Sequence, residues 1–122
     1  MTFDSETLSI RKPLWVALSD LFLDTELQEY DLAFIARKMH ESGYSIDEIY
    51  DILMLEVFPV CIANLYFVAG EWAGFDENWV VNTILSAKRP NRFRRWMNNR
   101  HFWMIEKNWE DLVKRFNELQ IK

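Results

Sequence analysis

Apolar residues recur along most of the chain at the spacing of an α-helix, and this pattern predicts an all-α protein. The clearest stretch follows Ser45, where apolar side chains lie at i, i+3, i+4, i+7, i+8 and i+11 between Ile46 and Val57. Ser45 and Glu48 have the spacing of a capping box, in which each side chain accepts a hydrogen bond from the other residue's amide. The sequence therefore predicts a helix that begins after Ser45 and carries one apolar stripe.

Two earlier helices are predicted from start and stop signals. Pro13 suits the first turn of a helix, where its missing amide costs no hydrogen bond, so we predict the first helix over about residues 12–23. The second helix is predicted to begin between residues 26 and 31, because Thr25 and Gln28 form a capping-box pattern, and to end at Gly43.

The second half of the chain carries four further predictions. Pro59 lacks an amide and restricts the residue before it, so the apolar run from Leu53 to Val68 should form two helices or one kinked helix, and we predict the break. Asp76 is expected to cap another helix, and Pro90 to start a short one. The last helix is expected to be capped around Asn108 and to bury the stripe Trp109, Leu112, Val113, Phe116 and Leu119.

Length and composition favour one packed domain over residues 1–122, a bundle of about five to seven helices. Half of the residues are hydrophobic, and six Trp, nine Phe and four Tyr provide large side chains for a core. The lone Cys61 has no partner for an internal disulfide and is expected to be a buried thiol in a reducing compartment. Neither a signal peptide nor a membrane-spanning run is visible, so we expect a cytoplasmic protein without membrane contact.

Charge is distributed unevenly along the chain. The net charge is -5, but residues 1–87 hold fifteen acidic and four basic side chains, a balance of -11, which leaves +6 for residues 88–122. Carboxylates cluster around the first interhelix turn, and this cluster is predicted to bind a basic protein partner. An ordinary solvated turn whose carboxylates favour a helix N-terminus is an equally acceptable interpretation. The cluster consists of Asp20, Asp24, Glu26, Glu29 and Asp31.

The basic segment 88–107 provides an alternative surface. Its arginines alternate with aromatic residues, a pattern found on nucleic-acid-binding proteins. A pI near 5.0 disfavours nucleic acid as the partner, because most of the surface would repel phosphate. The same residues could instead pair with acidic helices of this chain or of a second copy, which would make a homodimer. The arginines that define this alternative are Arg92, Arg94, Arg95 and Arg100.

No motif for catalysis, metal binding or cofactor binding is present in the sequence. His40, His101 and Cys61 share no local motif with a nucleophile or base, and they are too few and too far apart for a structural zinc site. We therefore expect no enzyme activity, no metal and no cofactor. A carboxylate site assembled by the fold is the alternative, and its candidates are Glu48, Asp51, Glu56 and Glu71.

Three segments carry a resemblance to a known family. W-V-A-L-S-D-L-F-L-D-T-E-L at residues 15–27, E-V-F-P at 56–59 and N-L-Y-F-V-A-G-E-W-A-G-F at 64–75 resemble an uncharacterised family of small bacterial helical proteins over roughly residues 13–85. The resemblance implies a bacterial source and a stand-alone domain, and it brings no catalytic residues. In overall type the chain is also similar to immunity proteins that neutralise bacterial toxins. Our leading hypothesis is thus an immunity-type inhibitor of a toxin domain.

Overall fold

The computed structural model describes residues 4–22, 27–61, 77–86 and 102–121, and the fold is all-α as predicted. Within those ranges there is no β-strand. The α-helices are α1 (Ser5–Ser19), α2 (Glu29–Glu41), α3 (Ile46–Ile52), α4 (Glu77–Ser86) and α5 (Glu106–Ile121). Single 3₁₀ turns lie at Asp20–Phe22 and Phe102–Met104. None of these described helices is long and apolar enough to cross a membrane.

Helix α1 begins well before residue 12, so the prediction that Pro13 starts it is wrong. Asp4 is the N-cap, and its Oδ1 accepts a hydrogen bond of 2.7 Å from the amide of Thr7. Pro13 therefore lies inside the helix, where a proline costs about 3 kcal/mol. Burial of Leu14 and Trp15 directly after it offsets this cost, since both side chains are almost fully removed from solvent.

The turn between α2 and α3 confirms two predictions. Gly43 has a φ of +77°, the left-handed conformation that glycine adopts most easily. Ser45 and Glu48 form the predicted capping box, with N–H···O distances of 3.0 Å and 3.2 Å. The hydrogen bonds from Ser45 also hold the pKa of Glu48 below its usual value. At the other end of α2, Gln28 donates its amide to Oδ2 of Asp31 at 2.9 Å, whereas Thr25 lies outside the described residues.

The predicted break at Pro59 is wrong, because the helix continues through it. Helix α3 runs into a π-helical turn at Leu53–Val57, and residues 58–61 are again helical. The amide of Phe58 donates to the carbonyl of Leu53, five residues earlier, so this turn holds one residue more than an α-helical turn. The chain therefore stays helical on both sides of Pro59, although the proline has no amide to donate.

The core lies between α1, α2, the helix from Ile46 to residue 61, and α5. Helix α5 packs along α2, and α1 packs against α2, α4 and the π-helical turn. The predicted stripe of α5 is confirmed, since Trp109, Leu112 and Phe116 are buried, but the helix begins at Glu106 and not near Asn108. Buried aromatic contacts include the edge-to-face pair of Phe22 and Phe58, whose ring centroids are 5.3 Å apart.

Candidate protein-binding surface

The structure brings together part of the predicted acidic cluster. Asp20 lies half-buried at the end of α1, and its pKa is raised to about 6 by burial and by the nearby charges of Asp31 and Glu77. Glu29 is exposed at the start of α2, with its Oε1 3.6 Å from Nη2 of Arg115. The other two predicted residues, Asp24 and Glu26, lie outside the described residues.

Glu77 belongs to this acidic site and was missed by the sequence analysis. It is the first residue of α4, far along the chain from the interhelix turn that holds Asp20 and Asp31. Packing of α4 against α1 brings Glu77 close enough to Asp20 to help raise the pKa of that carboxyl. No local sequence pattern reports such a contact. The acidic site is therefore formed by three helix termini.

Exposed aromatic side chains lie on the same helices as the acidic site. Tyr30 and Phe34 are one helical turn apart on α2 and are 75% and 42% exposed, and Trp79 on α4 is 40% exposed. The ring of Phe34 lies 5.5 Å from Nζ of Lys38, within the range of a cation–π contact. Large aromatic residues at the surface beside charged groups are typical of protein interfaces.

A groove of about 480 Å³ separates α1, α2 and α4. Its apolar surface comes from Pro13, Val16 and Ala17 of α1, Phe34 of α2 and Val81 of α4. The polar and charged side chains along its edges are Lys12, Lys38, Glu77, Asn78 and Asn82. The groove thus combines an apolar floor with both signs of charge.

A separate polar network ties α1 to the π-helical turn. Glu56 lies in that turn and accepts hydrogen bonds from Nη1 of Arg11 and, at 2.7 Å, from Nε1 of the buried Trp15. Nε of Arg11 also donates to Oη of Tyr44 at 3.3 Å. Because both oxygens of Glu56 are engaged by α1, this network acts as a structural link between helices.

The described residues include only part of the alternative sites. They contain no group of three or more His, Cys, Asp or Glu side chains that could hold a metal ion, and Glu56 is occupied by Arg11. Burial raises the pKa of the Cys61 thiol, which disfavours the nucleophilic thiolate. The four arginines of the basic alternative, Arg92, Arg94, Arg95 and Arg100, lie outside the part of the chain that is described.

The fold and this surface define a helical domain with an open, charged groove and an adjoining acidic site. Within that class, a family model described as "Domain of unknown function (DUF7079)" matches residues 9–119, and the chain belongs to this family. The match includes the basic segment 88–107, which lies beyond the residues 13–85 that resemble an uncharacterised family. No curated protein and no solved structure matches the chain.

Proposed function

We propose that this protein is a non-catalytic binding module that recognises a basic surface of a protein partner. The observation that carries the proposal is the convergence of Asp20, Asp31 and Glu77 beside the exposed rings of Tyr30 and Phe34. Negative potential speeds the encounter with a positive partner, and exposed aromatic groups then supply contacts that dissociate slowly. A surface with both features supports binding to a protein.

In its specific form, the proposal is an immunity-type inhibitor that binds and neutralises a bacterial toxin in the cytoplasm. Toxins that act on nucleic acid need a positive surface to hold phosphate groups. An acidic inhibitor would associate quickly with such a surface and cover it. The acidic balance of residues 1–87 supports this choice of partner.

The first experiment is affinity purification from the source cell with the full chain as bait, followed by mass spectrometry. We expect one stoichiometric protein partner whose binding surface is basic. Recovery of nucleic acid in place of protein would transfer the function to the basic segment 88–107. Recovery of neither would contradict the proposal.

The binding surface is tested by association kinetics with the recovered partner. We expect Glu29→Lys combined with Glu77→Lys to slow association at least tenfold at low salt, because both residues are exposed and contribute to the same potential. The difference should shrink at high salt, where charges are screened. Dissociation should change less than association.

A matched control is available in Glu6→Lys combined with Glu106→Lys. These are also exposed acidic residues in the first turns of helices, α1 and α5, so the control has the same change in charge and a similar cost at the helix termini. We expect it to slow association much less. Equal slowing by the two double variants would show that net charge, and not this surface, governs the encounter.

A further inference from the structure

The charges along the groove between α1, α2 and α4 are separated by sign. Lys12 of α1 and Lys38 of α2 line the groove about two helical turns from Asp20 and Asp31 along their helices, and we call this part the lysine end. Glu77 also lines the groove, and we call its surroundings the acidic end. Asp20 and Asp31 lie beside the groove and belong to this end, because the charges of Asp31 and Glu77 both raise the pKa of Asp20. The groove therefore has a positive end and a negative end.

Helical spacing places these charges on the faces that line the groove. Asp20 follows Pro13, Val16 and Ala17 of α1 at positions i+7, i+4 and i+3, so it continues the face that forms the apolar floor. On α2, Asp31 is three residues before Phe34, which lines the groove. The charged ends and the apolar floor thus belong to one surface.

The distance between the two ends matches two turns of a helix. Lys12 of α1 and Asp20, the residue that directly follows α1, are eight residues apart, which corresponds to about 12 Å at 1.5 Å per residue. Asp31 and Lys38 are seven residues apart on α2, or about 10 Å. A helix lying along the groove presents residues i and i+7 at this separation, with i+3 and i+4 between them on the same face.

We propose that the groove binds an amphipathic helical segment of the protein partner. The segment has Arg or Lys at the acidic end, Asp or Glu about seven residues away at the lysine end, and apolar side chains between them on the floor. The inference rests on the proposed function as a protein-binding module and adds the kind of segment that is recognised. Charge complementarity at both ends favours this occupant.

The surroundings of the two ends determine how strongly each contributes to binding the helical segment. Nζ of Lys38 lies 3.4 Å from Oε1 of the exposed Glu41 and 5.5 Å from the ring of Phe34. Lys38 itself is partly buried, but an ion pair with an exposed carboxylate is weak, so a carboxylate of the partner can compete for the lysine. Asp20 is half-buried, and a cation next to it would relieve the repulsion from Asp31 and Glu77. The acidic end is thus expected to be the stronger of the two.

The test uses the full chain and fluorescein-labelled synthetic peptides of fifteen residues, read out by fluorescence anisotropy. The probe is a helix-forming peptide with Glu at position 4, Leu at positions 7 and 8, and Arg at position 11. Two comparison peptides carry Arg at both positions or Glu at both. A third carries Pro between the two charges, which breaks the helix.

We expect the Glu/Arg peptide to bind with a dissociation constant on the order of 10–100 µM, about tenfold or more tighter than the Glu/Glu peptide. The variant Lys12→Glu with Lys38→Glu makes both ends acidic, so its preference should change to the Arg/Arg peptide. Loss of folding cannot produce that gain. The control Lys107→Glu with Lys114→Glu has the same charge change on exposed residues of α5 and should keep the original preference.

Each outcome decides the inference. Equal binding of all peptides, absence of binding, or an unchanged preference in the Lys12→Glu/Lys38→Glu variant would overturn it. Equal binding of the proline peptide would overturn the helical form of the occupant. A dimer of this chain that the peptide dissociates would assign the groove to a second copy and also overturn it.

This test can fail independently of the proposed function. A recovered protein partner whose affinity is unaffected by Lys12→Glu with Lys38→Glu overturns the groove inference and leaves the binding function intact. If peptides bind as expected but no protein partner is recovered, the groove assignment is supported and the proposed function fails.

Discussion

Removal of the Glu56 carboxylate should destabilise the fold, because Glu56 joins α1 to the π-helical turn. Its side chain is 10% exposed, that of Arg11 is 19% exposed, and Trp15 is fully buried. Hydrogen bonds to charged groups contribute about 1.5–3 kcal/mol each, and removing one member of a fully buried ion pair costs about 3–5 kcal/mol. Because the Arg11–Glu56 pair is partly exposed, the cost should be smaller than for a fully buried pair. We expect Glu56→Ala to lower the free energy of unfolding by about 2–3 kcal/mol.

The expected change is large enough to measure by urea unfolding and by thermal unfolding, each monitored by circular dichroism and tryptophan fluorescence. At about 2.1 cal/mol/K of unfolding entropy per residue, 122 residues give about 4 °C in Tm per kcal/mol, so Glu56→Ala should lower Tm by about 10 °C. Glu56→Gln keeps an acceptor for Nε1 of Trp15 but loses the charge opposite Arg11. Glu56→Gln should therefore lower the free energy of unfolding by about 1 kcal/mol.

The control for this prediction is Glu41→Ala, which removes the exposed pair with Lys38 and should cost less than about 0.5 kcal/mol. Our account of the Glu56 link is wrong if Glu56→Ala loses less than about 1 kcal/mol. It is also wrong if Glu56→Gln is as destabilising as Glu56→Ala, because the loss would then not depend on the acceptor for Trp15.

Three further predictions concern single residues. Asp20 has a folded pKa of about 6, above its unfolded value of 3.8, so its contribution to stability is present below pH 3.8 and is lost as pH rises through 6. Between pH 4 and 7, Asp20→Asn should remove about 1 kcal/mol of the pH-dependent change in the free energy of unfolding. An unchanged pH profile would contradict this prediction. Gly43→Ala should lower the free energy of unfolding by about 1 kcal/mol in urea, because φ is +77° and alanine adopts this conformation less easily. The added Cβ meets no atom, so the loss would come from the backbone alone, and an unchanged free energy would exclude backbone strain. The Cys61 thiol is buried and should react with a disulfide reagent only at the rate of unfolding, whereas immediate labelling of the native protein would show that it is accessible.

Local helix signals were readable from the sequence where one residue type decides the backbone. The turn at Gly43 and the capping box of Ser45 and Glu48 were predicted correctly, because each depends on residues within one helical turn. Pro13 and Pro59 were misread for a different reason. Burial of Leu14 and Trp15 offsets one proline, and a π-helical turn accommodates the other, and neither effect follows from local pattern.

The candidate site was only partly predictable for a related reason. Asp20 and Asp31 were grouped because they are near each other in sequence, and in the structure the charge of Asp31 helps to raise the pKa of Asp20. Glu77 joins them only through the packing of α4 on α1. The link from Arg11 to Glu56 likewise joins residues 45 positions apart, and the sequence analysis had placed Glu56 among the candidates for a carboxylate site. Long-range pairing of charges needs the fold itself.

The position of Asp20 connects stability with binding. A half-buried carboxylate next to Asp31 and Glu77 destabilises the folded chain at neutral pH, and a neutral Asn would avoid this cost. If the acidic end receives a cation from the partner, the same carboxylate gains a favourable interaction in the complex. Asp20→Asn should therefore raise the free energy of unfolding at pH 7 while weakening partner binding, a trade-off expected at binding sites. Unfolding and affinity measured on the same variant decide the question, since a gain in both would show that Asp20 contributes nothing to recognition.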